Sequence, residues 1–278
     1  MKINSRIKTA IVLIPIMLVG IYLLPLAGFA IFMGLIAVLG AWEWADMAGC
    51  GRRMQRLLYS LFIGVCVLGL YVVMSQQLVA DGWALSIAVA WWLLGFALIL
   101  LYPRATGVWG TPFRRLVAGT LVLCSMWVGF YWIKGADESN VLITLLMLLV
   151  WGADIGAYYA GRAFGKRKLL PNVSPGKTWA GAIAAIGSAM LIGIVVVALV
   201  VDTQLWRWED YLLLLLFAGS VVVMSIVGDL VESMVKRQRG LKDSGALLPG
   251  HGGIMDRIDS MCAAAPVFAA FLYVWPAL

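Results

Sequence analysis

The chain has 278 residues, of which 63% are hydrophobic and only 13% charged, with 21 Lys and Arg against 14 Asp and Glu. Soluble domains carry about 25% charged residues, so this composition excludes a disordered chain, a fibrous protein and an ordinary cytosolic enzyme. The 13 Trp and a mean hydropathy of +0.96 point instead to an integral membrane protein.

At the N-terminus Lys2, Arg6 and Lys8 precede an apolar run, as in a signal peptide. The run continues far beyond signal length without a clear cleavage site, and reads as a retained anchor. No charge occurs between Lys8 and Glu43. As one helix that stretch would measure about 51 Å, against a hydrocarbon core of about 30 Å, so a turn is expected at Pro25 and Gly28. Trp42-Glu43-Trp44 reads as an interfacial belt, with Glu43 within reach of an acid cluster. Further apolar runs cover Leu57–Met74, Trp83–Tyr102, Leu116–Ile133, Val141–Ala163, Trp179–Val201, Tyr211–Leu230 and Met261–Leu278. The expectation is an all-α polytopic membrane protein of about nine transmembrane helices, forming one membrane domain.

The charges sort by side. Alternate connecting segments hold 19 of the 21 basic residues, while the others hold only Lys134 and Arg207 beside six acids, among them Asp81 and Asp202. Lys/Arg bias sets orientation, so the N-terminus is expected in the cytoplasm and the C-terminus outside. The net charge of +7 thus reports topology, and no nucleic-acid partner is expected. Cys50, Cys66, Cys124 and Cys262 are widely spaced, with no CxxC pair, and read as buried small apolar residues.

Carboxylates inside membrane spans are costly and mark function. Asp154 falls about 20 Å down its helix and Asp229 about 27 Å, and Asp256 and Asp259 open the last helix. Three helices therefore bring acids to one leaflet. The bland alternative pairs each with a nearby base, Asp154 with Arg162 or Asp256 with Arg257. A polar loop read from Glu232 to Asp259 combines basic side chains, five glycines and the single His251. Backbone N–H groups and Lys/Arg suit phosphate oxygens, and hard Asp oxygens suit Mg²⁺ bridging them. A flexible basic loop on anionic headgroups would account for the lysines alone.

Ser174-Pro-Gly-Lys177-Thr178 leads directly into a span. It is not a P-loop, because Pro171 stands where the motif needs Gly and no strand is expected before it. A helix N-terminus with Ser, Lys and Thr still makes an anion site; a plain Ser/Thr cap is the alternative. The Gly152/Gly156 and Gly161/Gly165 spacings permit close helix contact.

The segment from Ser233 through Lys236-Arg237, Lys242-Asp243-Ser-Gly245 and Pro249-Gly-His251-Gly252-Gly253 to Asp256-Arg257-Ile-Asp259 closely resembles the signature of the phosphatidate cytidylyltransferase (CDP-diacylglycerol synthase) family. Trp151-Gly-Ala-Asp154, Ser174-Pro-Gly-Lys177-Thr178 and Gly228-Asp229-Leu-Val-Glu232-Ser233 are similar to its bacterial members, as is Trp42-Glu43-Trp44. The likeness runs along essentially the whole chain and is diffuse over the first 140 residues. Met255 stands where many members carry Leu.

The resemblance implies transfer of CMP from CTP to phosphatidate with Mg²⁺, in a dimer of the bacterial inner membrane whose active site faces the cytoplasm. It implies a metal site at Asp229 and Asp256, with Asp154 and Asp259 as further ligands or supporting groups, and a second metal ion left open. Lys242, Asp243, His251 and Arg257 join Asp229 and Asp256 as catalytic candidates. Ser174, Lys177, Thr178, Ser233, Lys236, Arg237, Gly252 and Gly253 are the substrate-binding candidates. Residues 1–140 are expected as scaffold and dimer part, and 141–278 as the catalytic part. A CTP-dependent polyprenol or phytol kinase and an ion-coupled transporter are the alternatives.

Overall fold

The computed structural model describes residues 5–78, 82–201, 204, 206–250 and 252–275. His251 lies outside the described residues, as do Lys2, Asp81 and Asp202. Among the described residues ten helices run in chain order: α1 (Ser5–Tyr22), α2 (Leu26–Ala48), α3 (Arg53–Ser75), α4 (Trp83–Leu100), the single turn α5 (Thr106–Trp109), α6 (Pro112–Gly135), α7 (Ser139–Phe164), α8 (Trp179–Val200), α9 (Trp208–Gln238) and α10 (Met255–Val274). Eight of them, α2 to α4 and α6 to α10, are long and apolar enough to cross a membrane.

The first apolar run breaks where expected. Pro25 takes an extended conformation before α2, because it has no N–H to give to the α1 ladder and disfavours helix in the residue before it. In α1 the apolar stretch is shorter, Thr9–Tyr22, yet its ends reach opposite ends of the bundle. Thr9 Oγ1 donates to Pro249 O at 2.8 Å, and the Tyr22 hydroxyl lies 2.7 Å from Thr144 Oγ1, near the start of α7. Lys134 Nζ closes the far end by donating to Ile21 O at 2.6 Å, a cation at a helix C-terminus.

Helices α9 and α10 form the centre. Helix α10 packs against α9, α6 and α4; α9 also meets α8; α7 pairs with α8, and α2 with α3 and α6. At Gly228 a Cβ would run into Asp259 O, so the bare backbone lets α9 and α10 touch at the level of their acids. The Gly152/Gly156 spacing works similarly on α8, where added Cβ atoms would meet Ile192 and Ser188. Trp44, Trp92 and Trp127 are fully buried, and each indole N–H has an acceptor: Arg115 O at 2.8 Å, Ser125 Oγ at 2.9 Å and Ala30 O at 2.9 Å. A buried indole N–H gains from such a partner. Trp44 is therefore a core residue, and the Trp42-Glu43-Trp44 belt expected from sequence is corrected. The outward faces are apolar instead, with Leu61, Phe62, Val65 and Leu68 exposed along α3.

Two further expectations are corrected. The segment 162–178 contains an antiparallel hairpin, β1 (Lys168–Leu170) with β2 (Ser174–Thr178), so the Ser174–Thr178 motif is itself a strand. Helix α9 does not end at Leu230 but continues to Gln238, because its charges pair along the helix: Ser233 Oγ donates to Asp229 Oδ1 at 3.1 Å, and Lys236 Nζ to Glu232 Oε2 at 2.6 Å. At 31 residues α9 is about 46 Å long and overruns the hydrocarbon core. The expected loop from Glu232 to Asp259 is thus helix at both ends, with a true loop only between α9 and α10. The four cysteines are free; Cys262 is fully buried and the others half-buried.

Candidate active site

A cavity of about 410 Å³ opens between α7, β2, α8 and α9. Its polar wall carries Asp154 and Arg162 from α7, Lys177 and Thr178 from β2, and Asp229 from α9; small residues such as Ala153, Ala157, Gly181, Ala182 and Ala185 line the rest. Lys177 Nζ lies 2.7 Å from Asp229 Oδ2, both side chains about a quarter to a third exposed. Asp154 is within electrostatic reach of both. Asp154 and Asp229 meet because α7 and α9 run antiparallel to α8, which begins at this cavity.

A second cluster adjoins the first. Lys236 is buried between Glu232 Oε2 at 2.6 Å and Asp256 Oδ1 at 2.7 Å. Asp256 Oδ2 accepts from the N–H groups of Ser244 and Gly253, each at 3.0 Å, which folds the α9–α10 loop back onto α10. Within that loop Leu248 N donates to Gly252 O at 3.0 Å, and Gly250 and Gly252 both have positive φ, a backbone that side-chain-bearing residues rarely adopt. Asp259 accepts from Ser260 N and interacts electrostatically with Asp229, Lys177 and Lys236. It links the two clusters from behind Gly228.

The structure brings Asp154, Lys177 and Asp229 together in one cavity, with Asp259 in electrostatic reach of Asp229, and places Asp256 in the adjoining cluster; several of the expected phosphate contacts have protein partners. Lys236 gives two of its three N–H donors to carboxylates. Ser233 Oγ is turned to Asp229, and the Gly253 N–H to Asp256. The Thr178 hydroxyl accepts from Gly181 N at 3.2 Å and caps α8, the plain cap weighed from sequence. Arg237 donates to Val173 O and Leu241 O, tying the hairpin and the loop to the end of α9. Lys242, Asp243 and Arg257 are exposed on this same face, and Ser174 and Gly252 are half-buried. The bland pairing of Asp256 with Arg257 gives way to Lys236.

Among the described residues no three acidic, His or Cys side chains converge on one metal position. Mg²⁺ is held by one or two carboxylates together with substrate phosphates rather than by an all-protein cage. A carboxylate offers about four lone-pair positions. Asp229 spends two on Lys177 and Ser233, and Asp154 stands beside it, so this pair fits a shared hard cation. Asp256 spends three on Lys236, Ser244 and Gly253, which fixes it firmly and leaves one.

Two participants are not among the site residues read from sequence, although Glu43 is already placed there within reach of an acid cluster. Ser244 is buried and bonded on both sides. Glu43 is 2% exposed, and its Oε2 accepts from Ser244 Oγ at 3.1 Å and Met255 N at 2.9 Å. An acid in the middle of an apolar run was the available signal for Glu43; Ser244 offered none beyond its place in the signature.

The family model described as the cytidylyltransferase family matches residues 4–275. The chain is 48% identical over 271 residues to a phosphatidate cytidylyltransferase of Pseudomonas aeruginosa, covering 98% of this chain and 97% of that one. It is 35% identical to that of Haemophilus influenzae, covering 98% and 99%, and 36% identical to that of Bacillus subtilis, covering 81% and 82%. With a match that spans both clusters and every helix, the chain belongs to the cytidylyltransferase family.

Proposed function

We propose that the chain transfers CMP from CTP to phosphatidate, forming CDP-diacylglycerol and pyrophosphate. The observation that carries this reading is the facing pair Lys177 and Asp229 in a cavity at the helix ends, where a water-soluble nucleotide can meet a lipid headgroup. The match to phosphatidate cytidylyltransferases over nearly the full chain supports it.

The attacking group is an oxygen of the lipid phosphate, already anionic, so no strong general base is required. The new bond forms between that oxygen and the α-phosphorus, the bond to the β-phosphate breaks, and pyrophosphate departs with its electron pair. The obstacle is charge repulsion between a phosphomonoester and a triphosphate. Lys177 faces the site as a compact cation for one of those phosphates, and exposed Lys242 and Arg257 supply further charge on the loop side. Asp229 and Asp256, which keeps one lone-pair position, would hold Mg²⁺, with Asp154 and Asp259 as further ligands or supporting groups. Bound there, the ion would screen the phosphates and stabilise the leaving pyrophosphate. A second cation would draw on the same oxygens.

The basic ends of the helices belong, in this reading, to the cytoplasmic face of a bacterial inner membrane, the side on which CTP is found. Helices before residue 140 serve as scaffold and as the contact surface of a homodimer. The test is purified protein with phosphatidate vesicles, Mg²⁺ and CTP labelled at the α- or the γ-phosphate. Label from the α-phosphate enters the lipid; γ-label in the lipid would identify a kinase and overturn the proposal. Asp229→Asn should lose at least about a hundredfold in turnover, and near-normal activity would remove Asp229 from the metal assignment.

A further inference from the structure

The buried acid Glu43 has no part in the chemistry above, yet it sits under the loop that closes the site. It comes from α2, some 200 residues before the loop it touches, and its environment is built for a carboxylate. Its Oε2 receives the Ser244 hydroxyl and the N–H of Met255, the first residue of α10. That N–H is one of the four a helix start leaves without an internal partner. Glycines stand at 245 and 253, and a Cβ at either would run into the Glu43 carboxylate. Its Oε1 is buried without a hydrogen-bond partner among the described residues.

The bonds form a closed circuit. From Glu43 the path runs to Ser244, whose Oγ also accepts from Asp256 N at 3.3 Å and whose N–H donates to Asp256 Oδ2. Asp256 in turn receives Gly253 N and Lys236 Nζ. Met255, next to Asp256 in sequence, returns the path to Glu43. The loop has few apolar contacts to hold it: Lys242, Asp243, Ala246, Leu247, Pro249 and Gly250 are exposed.

We propose that Glu43 is a positioning residue for cytidylyl transfer: its carboxylate pins Ser244 and the start of α10, and so fixes Asp256 and the loop over the reacting phosphates. The inference rests on the placement of the transfer centre at Asp229, Lys177 and Asp256 argued above.

The test compares Glu43→Ala, Glu43→Gln, Ser244→Ala and the double variant Glu43→Ala/Ser244→Ala with the parent, in lipid nanodiscs. Kinetics of CMP transfer are expressed per folded molecule, and Asp256→Asn is measured alongside. Misplacing a reacting group by about 1 Å costs on the order of a hundredfold. Glu43→Ala is therefore expected to lower kcat ten- to a hundredfold while KM for phosphatidate moves less than about threefold. Glu43→Gln, whose amide oxygen still accepts from Met255 N, recovers part of the loss. Because the two residues share the Ser244–Glu43 bond, the double variant should lose less than the product of the two single losses. A purely structural role would lower the yield of folded protein and leave kcat per folded molecule unchanged; that result overturns the proposal. So does a double variant whose loss equals the product of the single losses. Should Glu43→Ala fail to fold, Glu43→Gln and Ser244→Ala carry the same comparison, and parental kcat in both overturns it. Full activity in Asp256→Asn would instead displace the transfer centre, a failure distinct from that of Glu43.

Discussion

Replacing Lys236 by Met removes the one cation between Glu232 and Asp256 and separates two readings of this residue. If Lys236 served as a contact for a substrate phosphate, the change would weaken binding and leave the fold intact. The geometry argues otherwise, since Lys236 is 7% exposed and its ammonium is shared by carboxylates at 2.6 and 2.7 Å. Burying a charge pair gains little over an apolar replacement of both partners, but removing one partner leaves the other uncompensated, at about 3–5 kcal/mol. Here Glu232 is the stranded group, 1% exposed and with Oε1 already unpartnered among the described residues. At about 1.4 kcal/mol per factor of ten, the folded population should fall by at least roughly a hundredfold relative to the unfolded one. Equilibrium unfolding in mixed detergent, followed through the 13 tryptophans, reads this directly. Adding Glu232→Gln should restore part of the loss, because the stranded charge is then absent. An unchanged unfolding midpoint for Lys236→Met, accompanied only by a higher KM for CTP, would refute the argument.

Gly228→Val should separate α9 from α10 where a Cβ already meets Asp259 O; about 1–3 kcal/mol of overpacking is expected, with loss of transfer activity, measurable by the same unfolding assay beside the labelled-CTP assay. Single cysteines placed at Lys242 and at Asp137, in a background where the native cysteines are replaced, should react with an impermeant thiol reagent from opposite sides of sealed vesicles. Labelling of both from one side would refute the alternation of connecting segments. Lys177→Met should raise KM for CTP and lower kcat together, by about tenfold or more, with an unchanged unfolding midpoint that contrasts with Lys236→Met.

The all-α membrane architecture was legible because it follows from length and hydrophobicity. Eight of the expected nine helices are long and apolar enough to cross a membrane, and α1 has the shorter apolar stretch Thr9–Tyr22. An uncharged stretch too long for one span had to break, and Pro25 is where it breaks. The ends of α9 and α10 were not legible, because hydrophobicity stops at Leu230 while the helix continues on paired charges such as Glu232 and Lys236. For the same reason Lys236 read as a phosphate contact: a lysine in a basic stretch looks available until its partner, 20 residues on, is seen in space. Trp44 shows the complementary case, since belt and core tryptophans differ only in whether the indole N–H meets water or a carbonyl such as Arg115 O. The hairpin at 168–178 was hidden because strands of three and five residues are too short to show a period of two.

The seating of α1 bears on how the chain assembles. Its two polar anchors, to Thr144 and Pro249, lie 122 and 240 residues further along the chain. Chains fold from the N-terminus as they are made, so α1 is formed with only α2 at hand before either anchoring partner has been made. It must wait, loosely held, until α7 has been inserted and the loop before α10 has emerged. Helix α1 is made before the elements that anchor it, so it is among the last to be docked, and its docking completes the bundle at the edge of the site.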